Sequence, residues 1–303
     1  MAPPMFRAAT LRVRVPASSA NVGPGYDTFG LALDLHDEIV VRVGEEGLDV
    51  DVAGEGEDKV RRDARNLVVR AMHTAFDRMG GRPRGLEVRC LNRIPHGRGL
   101  GSSAAAIVGG MSAARALTVG GDERLDDERL LAIAAEVEGH PDNVAAALRG
   151  GFTVSWTDGG EVGSIAFSPH VDIVPVLFIP GAELRTAKAR KALPEHVPHA
   201  DAATNAARAA LMVEAMTRRP GLLMTATADL IHQEYRRAVM PRSLALLDEL
   251  RSQQVPAVVS GAGPTVMALV DADVAEVLVG APRRGWRIQA VQPDRQGVQL
   301  LPL

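Results

Sequence analysis

Apolar and polar residues alternate along the first part of the chain with the period of a β-strand that has one buried face. This alternation runs through residues 11–15, 39–43, 48–52 and 86–90. A helix is predicted before the last of these strands, because Asn66 can cap it, an apolar stripe begins at Leu67 and a Gly80-Gly81 pair ends it. The order of elements does not repeat as βαβ units. We therefore predict an α+β fold with an antiparallel sheet in its N-terminal part, and not a doubly wound one.

Helices and strands continue to the end of the chain. A helix is predicted between Leu125 and Leu148, with a break at Gly139 and a restart at Pro141. The later predicted elements are strands at 152–156 and 173–179, helices at 202–216 and 222–236, strands at 257–259, 266–270 and 286–291, and a helix at 274–279. We place a domain boundary near residue 165, which divides the chain into residues 1–165 and 166–303.

Charge and composition exclude several classes of function. The 34 basic and 37 acidic residues give a net charge of −3, so no overall field attracts nucleic acid or an anionic membrane. No run approaches the roughly 18 apolar residues of a membrane span, and the N-terminus lacks the apolar region of a signal peptide. A single cysteine, Cys90, excludes an internal disulfide and a Cys/His zinc site. We expect a cytoplasmic protein with no nucleic-acid or membrane partner.

The chain has only three lysines, Lys59, Lys188 and Lys191, and none stands in the G-x-x-x-x-G-K-[ST] pattern of a P-loop. A different candidate for phosphate binding runs from Pro95 to Ala106 and reads PHGRGLGSSAAA. Its three glycines permit positive φ and converging N–H groups, and its serines begin a helix whose N-terminal dipole faces the loop. A serine hydroxyl there can also reach a magnesium ion on the same phosphates. The alternative interpretation is a flexible turn before a packed helix.

Two further segments combine glycines with polar side chains. Residues 16–27, PASSANVGPGYD, follow the first predicted strand and offer an amide and a carboxylate on a loop. Residues 259–265, VSGAGPT, form a glycine-rich turn between two predicted strands. Taken alone, the first is equally well explained as a connector, and for the second a plain hairpin is the default interpretation.

Taken together and in this order, the three segments resemble the three motifs of the GHMP kinases, the superfamily named for galactokinase, homoserine kinase, mevalonate kinase and phosphomevalonate kinase. Residues 16–27, the run EGHPDNVA at 138–145 and SGAGPT at 260–265 are similar to the homoserine kinase branch. The resemblance implies a ribosomal-S5-domain-2-like N-terminal domain that binds ATP, and a ferredoxin-like C-terminal GHMP kinase domain. It also implies phosphoryl transfer from ATP to the hydroxyl of L-homoserine in threonine biosynthesis, with Mg²⁺, by a homodimer.

The resemblance assigns residues to the nucleotide and its metal. ATP contacts are expected from Asn66, Pro95, His96, Gly97, Arg98, Gly99, Leu100, Gly101, Ser102 and Ser103. Mg²⁺ is expected on Ser103 and Glu138, with Ser102 and Glu136 as the alternatives. Asn66 is equally well explained as a helix cap. For Glu138, the alternative interpretation is a solvated carboxylate at a helix end.

It also assigns residues to the amino acid. The expected set is Asn21, Asp27, His140, Asp142, Thr186, Arg190, Arg236, Gly261 and Gly263, and the catalytic set is Asn21, Asp142 and Asn143. Asp27 and Asp142 suit an ammonium, whereas Arg190 and Arg236 offer paired donors to a carboxylate. His140 is alternatively a structural histidine at a helix break. No general base is identified, and alignment with metal assistance can suffice for this transfer.

The motifs disfavour three other classes of function. A mevalonate or diphosphocytidyl-methylerythritol kinase would share the fold, but the two arginine candidates and the EGHPDN run disfavour it. A nucleotide-binding regulatory protein without turnover is disfavoured by the presence of Asp27, Glu138 and both serines. Serine hydrolysis is disfavoured because Ser102 and Ser103 lie in G-L-G-S-S and not in G-x-S-x-G. Thr265 and Glu234 depart from the motifs of the relatives.

Overall fold

The computed structural model describes residues 3–302, which form two β-sheets packed with helices. The strands are β1 Leu11–Ala20, β2 Phe29–Gly44, β3 Gly47–Gly54, β4 Gly85–Asn92, β5 Phe152–Asp158, β6 Glu161–Phe167, β7 Val174–Pro180, β8 Ala257–Val259, β9 Val266–Val270, β10 Trp286–Ala290 and β11 Gln299–Leu301. The helices are α1 Leu67–Arg78, α2 Ser102–Leu117, α3 Gly121–Arg124, α4 Asp127–Glu138, α5 Asp142–Arg149, α6 Thr186–Arg190, α7 His199–Thr217, α8 Leu223–Ala226, α9 Pro241–Ser252 and α10 Ala272–Gly280. The predicted α+β class is confirmed.

The two sheets divide the chain between β6 and β7. The first has the order β11-β1-β2-β4-β3, with β5 joining β2 to β6, and the second has the order β10-β7-β9-β8. The C-terminal strand β11 returns to the first sheet, where Val13 lies opposite Leu300. The boundary near residue 165 stays a prediction.

Helix α2 is the central element of the larger core, and its small residues let it approach its neighbours closely. A Cβ on Gly109 would lie 2.7 Å from Ile39 Cδ1, and one on Gly110 would lie 2.6 Å from the Val68 carbonyl oxygen. These contacts bring β2 and α1 against the helix backbone, where no side chain would fit. The N-terminus of α2, and the glycine loop before it, are thereby fixed relative to the first sheet.

The predicted helix break between Leu125 and Leu148 is confirmed. Helix α4 ends at Glu138 and is capped by Gly139, which has a φ of 91°, and α5 begins directly after Pro141. Glycine adopts this left-handed conformation without the steric cost that a Cβ imposes, and proline fits a helix start because its missing N–H would be unpaired there. The break turns His140 and Asp142 toward the same side of the fold as the glycine loop.

Some sequence predictions were wrong. The first sheet is not wholly antiparallel, since β3 and β4 pair in parallel. Along the chain, helix α1 comes between β3 and β4 and carries the chain back to the end of the sheet at which β3 began, so β4 runs in the same direction as β3. A tight hairpin joins only antiparallel strands. Residues 16–20 of the first motif are not a loop but the end of β1, where Ser18 and Ser19 pair with Ala32 and Leu31.

The helix predicted at 222–236 was also wrong. The chain there forms a 3₁₀ turn at Pro220–Leu222, helix α8, an irregular segment and a second 3₁₀ turn at Glu234–Arg236. The carboxylate of Asp229 accepts hydrogen bonds from the N–H groups of residues 231–233, in place of helical carbonyls. Helix α9 was missed, although Pro241 at its first position and leucines at helical spacing gave the signal.

Candidate active site

The loop from Gly97 to Gly101 leads directly into α2. Gly97, Gly99 and Gly101 have φ values of 64°, 74° and 68°, in the left-handed region that favours glycine. Gly101 has no side chain with which to cap the helix, and the first amides of a helix have no intrahelical partner. The loop therefore offers backbone N–H groups and the positive end of a helix dipole, which together bind phosphate.

The loop is fixed by the two other motifs. The Ser18 amide donates to the Leu100 carbonyl over 3.1 Å, and the Thr265 amide donates to the Arg98 carbonyl over 3.3 Å. The Ser260 hydroxyl donates to the Gly99 carbonyl over 2.6 Å. The three segments that the sequence analysis singled out thus meet at one place, although they are far apart in the chain.

Ser103 and Glu138 form an oxygen-rich pair at the start of α2. The Ser103 hydroxyl donates to Glu138 Oε2 over 2.7 Å. Burial raises the pKa of the Glu138 carboxyl above its ordinary value, and the hydrogen bond from Ser103 opposes that shift. Glu136 points elsewhere and forms an exposed ion pair with Arg78 at 3.0 Å. A hydroxyl and a carboxylate are ligands that Mg²⁺ prefers, and only Glu138 of the two glutamates reaches Ser103.

The start of α5 holds a second polar group. Asp142 is only 1% exposed, and its Oδ1 accepts from the Asn143 amide and lies 2.7 Å from His140 Nδ1. Burial lowers the pKa of His140, but the hydrogen bond and the charge of Asp142 outweigh this and leave it raised overall. Asn143 accepts a 2.8 Å hydrogen bond from Ser18 through Oδ1. These contacts fix His140 and Asp142 beside the phosphate-binding loop.

Two arginines stand opposite this acidic group. Arg236 is 1% exposed, donates through Nη1 to the Gly261 carbonyl, and has a buried Nε that finds no hydrogen-bond partner among the described residues. Arg190 donates to both carboxylate oxygens of Asp27, over 3.0 and 2.5 Å. The geometry supplies fixed positive charge next to fixed negative charge, which suits a small zwitterion.

Asn21 and Asp27 are held in a strained loop between β1 and β2. Both have positive φ, 65° and 53°, which non-glycine residues rarely adopt. Asn21 donates through Nδ2 to the Gly261 carbonyl over 2.8 Å and accepts from the Asp27 amide over 3.0 Å. The second half of the chain fixes this loop, because Asn205 donates to the Pro24 carbonyl and His232 Nε2 lies 2.7 Å from the Gly23 carbonyl.

Two cavities adjoin at Ser102 and Ser103. A polar cavity of about 140 Å³ brings together most of the residues just described. It is lined by Asn21, Gly97, Gly99, Leu100, Gly101, Ser102, Ser103, Glu138, His140, Asp142, Asn143, Leu184, Thr186, Arg190, Arg236, Gly261 and Ala262. A cavity of about 250 Å³ with mostly apolar walls is lined by Asp37, Ile39, Val60, Asn66, Leu67, Val68, Cys90, Asn92, His96, Ser102, Ser103, Ala105 and Ala106. One cavity suits charged groups and the other a flat aromatic base.

Several predicted site residues lie away from these cavities. Arg98 directs its guanidinium to the carbonyls of His96, Pro180 and Gly181, and Pro95 lines the same outer face. Gly263 packs behind the loop, where a Cβ would lie 2.5 Å from Met240 Sδ. Asp27 does not line the polar cavity itself, but it contacts two residues that do, Arg190 through its carboxylate and Asn21 through its amide. Asn66 caps α1, as the alternative interpretation had it, and also lines the apolar cavity.

Sequence reasoning missed most of the apolar cavity. Its walls include Ile39 from β2, Cys90 from β4 and Val60 from a loop. The strand alternation marks Ile39 and Cys90 as buried, but it carries no sign that they border a cavity instead of filling the core. Tyr26 was also missed as an individual residue, although it lies inside the first motif.

Within residues 3–302, no helix combines the length and the apolar character that crossing a bilayer requires.

Comparison with known proteins agrees with this geometry. The profile of the GHMP kinases N terminal domain matches residues 66–151, and that of the GHMP kinases C terminal matches residues 212–287. The homoserine kinases of Streptomyces coelicolor and Streptomyces avermitilis are 58% and 57% identical over 303 residues, which span the whole of this chain and 98% and 99% of theirs. The crystal structure of homoserine kinase from Cytophaga hutchinsonii matches with a TM-score of 0.86 and 24% identity over 98% of this chain and 99% of that one. At 24% identity, this structural match supports the fold alone.

Proposed function

The chain belongs to the GHMP kinases, within the homoserine kinases, and we propose that it transfers the γ-phosphoryl group of ATP to the side-chain hydroxyl of L-homoserine, giving O-phospho-L-homoserine. The observation that carries the proposal is the meeting of two unlike cavities at Ser102 and Ser103. One is apolar and the other is charged, and the phosphate-binding loop lies between them. A nucleotide and a zwitterionic alcohol can thereby meet at the γ-phosphate.

The apolar cavity and the glycine loop are proposed to hold ATP. Apolar walls suit the adenine ring, and the N-terminus of α2 suits its phosphates. Ser102 and Ser103 stand at the join, so the phosphate chain would pass over the first turn of α2 toward the polar cavity. His96 and Asn66, which line the apolar cavity, are proposed as the polar contacts of the base or ribose.

The polar cavity is proposed to hold L-homoserine by its two charges. The carboxylate would lie on Arg236 and Arg190, and the unpartnered Nε of Arg236 is a buried donor that a carboxylate oxygen would satisfy. The ammonium would lie against Asp142, with Asp27, Asn21 and His140 nearby. Mevalonate has no ammonium, so it would leave Asp142 without the charged partner that L-homoserine supplies, which disfavours that alternative substrate.

Alignment accounts for the proposed catalysis better than a general base does. Asp142 Oδ1 already lies in hydrogen-bond contact with His140 and the Asn143 amide, so this oxygen is engaged. Phosphoryl transfer needs little proton abstraction before its transition state and depends on in-line positioning and charge neutralisation. Asn21, Asp142 and Asn143 are therefore proposed to orient the hydroxyl and its surroundings toward the γ-phosphate.

Ser103 and Glu138 are proposed to hold Mg²⁺. Their 2.7 Å hydrogen bond places two oxygen ligands side by side at the phosphate-binding helix end, and Mg²⁺ is usually bound by one or two such groups plus phosphate oxygens and water. The ion would supply charge neutralisation on the phosphate oxygens. Glu138 is favoured over Glu136, and Ser103 over Ser102, because they are the pair in contact.

Glu138→Gln is expected to raise the Mg²⁺ concentration for half-maximal activity by about tenfold or more, since it removes a charged ligand. In the unchanged protein, the Mg²⁺ concentration for half-maximal activity should also rise as the pH falls, because protonation abolishes the charge of Glu138. Burial raises the pKa of this carboxyl, so the rise should follow an apparent pKa above the ordinary value of 4.5. Magnesium titrations of the initial rate at several pH values measure both effects. Glu136→Gln is the matched control and should behave as the unchanged protein. A normal magnesium requirement in Glu138→Gln would refute the metal assignment.

Further proposals rest on the resemblance, on the order of the predicted elements and on composition. They are that the enzyme is a homodimer, that it acts in the cytoplasm in threonine biosynthesis, and that its N-terminal ATP-binding domain ends near residue 165, before a C-terminal GHMP kinase domain.

The proposed function is tested by substrate choice. Coupled ADP release is measured with L-homoserine, L-threonine, L-serine, mevalonate and galactose, each with and without magnesium. We expect the highest kcat/KM for L-homoserine, and rates that depend on magnesium. Turnover of another alcohol with none of L-homoserine would contradict the proposal.

A further inference from the structure

Tyr26 occupies a position behind the two guanidinium groups of the polar cavity. Its ring lies 5.4 Å from Arg190 Cζ and 5.6 Å from Arg236 Cζ, within the range of a cation–π contact. Its hydroxyl accepts a 2.8 Å hydrogen bond from Arg190 Nη1. Tyr26 is not among the residues that line the cavity, so it reaches a bound molecule only through the arginines.

The two guanidinium groups need such support because like charges repel in a partly buried site. Burial lowers the pKa of Arg236, and the charge of Arg190 lowers it further. The electron-rich face of an aromatic ring that contacts two cations offsets part of this repulsion. Asp27 neutralises Arg190 from one side, but no carboxylate is in hydrogen-bond contact with Arg236 among the described residues. Arg236 Nη1 contacts the Gly261 carbonyl and His232 Nδ1, and the ring of Tyr26 adds a further compensating contact.

Tyr26 is itself held in place from the other half of the chain. Its ring packs against His232, with centroids 5.4 Å apart and planes tilted by 32°. His232 Nδ1 accepts from Arg236 Nη1 over 3.1 Å while Nε2 faces the Gly23 carbonyl. The cluster of Tyr26, Arg190, Arg236 and His232 is therefore a continuous set of contacts between the first motif and the second half of the chain.

We infer that Tyr26 is a positioning residue for substrate binding: its ring and hydroxyl hold Arg190 and Arg236 side by side at the spacing that receives the carboxylate of the amino acid. The inference rests on the proposed function, which supplies the carboxylate. Tyr26 sets the affinity for a carboxylate-bearing alcohol, and it takes no part in binding ATP, whose cavity lies beyond Ser102 and Ser103.

Two substitutions separate the hydroxyl from the ring. Tyr26→Phe keeps the ring and loses the hydrogen bond to Arg190, and it should raise the KM for L-homoserine about fivefold. Tyr26→Leu loses both contacts and should raise that KM by about thirtyfold or more. The KM for ATP should stay within about twofold in both, a split that general damage to the fold would not produce. Tyr235→Phe, at the only other tyrosine, is the matched control and should have no effect on either KM.

A ligand without the carboxylate distinguishes positioning from general packing. 3-Aminopropan-1-ol is L-homoserine with its carboxylate removed, so its inhibition constant should be the same in the unchanged protein and in both Tyr26 variants. An unaltered KM for L-homoserine in Tyr26→Leu, or equal weakening of L-homoserine and 3-aminopropan-1-ol, would overturn the inference. If Tyr26→Leu does not fold, the same two comparisons are made with Tyr26→Phe. Failure of the unchanged protein to phosphorylate L-homoserine would instead refute the proposed function, and the same assay reports it.

Discussion

Replacement of Arg236 by methionine should lower kcat/KM for L-homoserine about a thousandfold, or by about 4 kcal/mol, which is typical of truncating a buried, charged hydrogen-bond partner. The KM for ATP should change little, because Arg236 lines the polar cavity and not the apolar one. The thermal midpoint should not fall by more than a few degrees. Arg236 is 1% exposed with an unpartnered Nε, so methionine removes a desolvated charge, which offsets the loss of the hydrogen bonds to the Gly261 carbonyl and His232 Nδ1.

The neighbouring Arg237 is the matched control. It is on the surface and forms ion pairs with Glu234 and Asp248. Exposed pairs contribute about 1 kcal/mol or less, so Arg237→Met should change neither substrate kinetics nor stability appreciably. Steady-state kinetics for both substrates, with a thermal melt of each variant, measure the difference. If Arg236→Met used L-homoserine as well as Arg237→Met does, the assignment of the carboxylate would be wrong.

Gly99→Ala should lower kcat/KM for ATP by about a hundredfold, the effect of moving catalytic groups by about 1 Å. A Cβ on Gly99 would lie 2.2 Å from the Ser260 carbonyl oxygen and 2.8 Å from the Gly263 carbonyl oxygen. These are backbone atoms, so the phosphate-binding loop and the third motif would have to separate. The hydrogen bond from the Ser260 hydroxyl to the Gly99 carbonyl would then be distorted or lost.

Gly159→Ala separates this clash from the backbone cost. Gly159 also has a positive φ, 58°, but a Cβ there meets nothing within 4 Å. Both substitutions pay about 1 kcal/mol for a left-handed alanine, and only Gly99→Ala displaces the loop. Initial rates over a range of ATP concentrations compare the two variants. Equal kcat/KM for ATP in both would show that the close contact between the two loops does not matter for catalysis.

The parts of the site that local chemistry dictates were predictable from the sequence. Glycine and proline act on their own backbone, so the positive φ of the glycine loop and the break at Gly139 follow from residue type. The three motifs were also found in the sequence as separate segments. Their meeting at Gly99 required the fold, because the contacts join residues about 80 and 160 positions apart, as the hydrogen bonds of Ser18 to Leu100 and of Ser260 to Gly99 illustrate.

The parts that depend on distant contacts were not predictable. The position of Arg236 depends on a turn made by Asp229, where a regular helix was expected, and a helical pattern cannot reveal that a carboxylate will replace backbone hydrogen bonds. The parallel pairing of β3 with β4 depends on the crossover through α1. The pairing of Asp27 with Arg190 joins residues 163 positions apart, and no local pattern predicts it.

The identity of the phosphorylated product tests the central claim most directly. The reaction of ATP and L-homoserine with magnesium is followed by ³¹P NMR without proton decoupling. The account predicts that the γ-phosphate signal is replaced by a phosphomonoester triplet, split by the two protons of the adjacent methylene of O-phospho-L-homoserine. Release of inorganic phosphate alone, or no consumption of ATP, would contradict it.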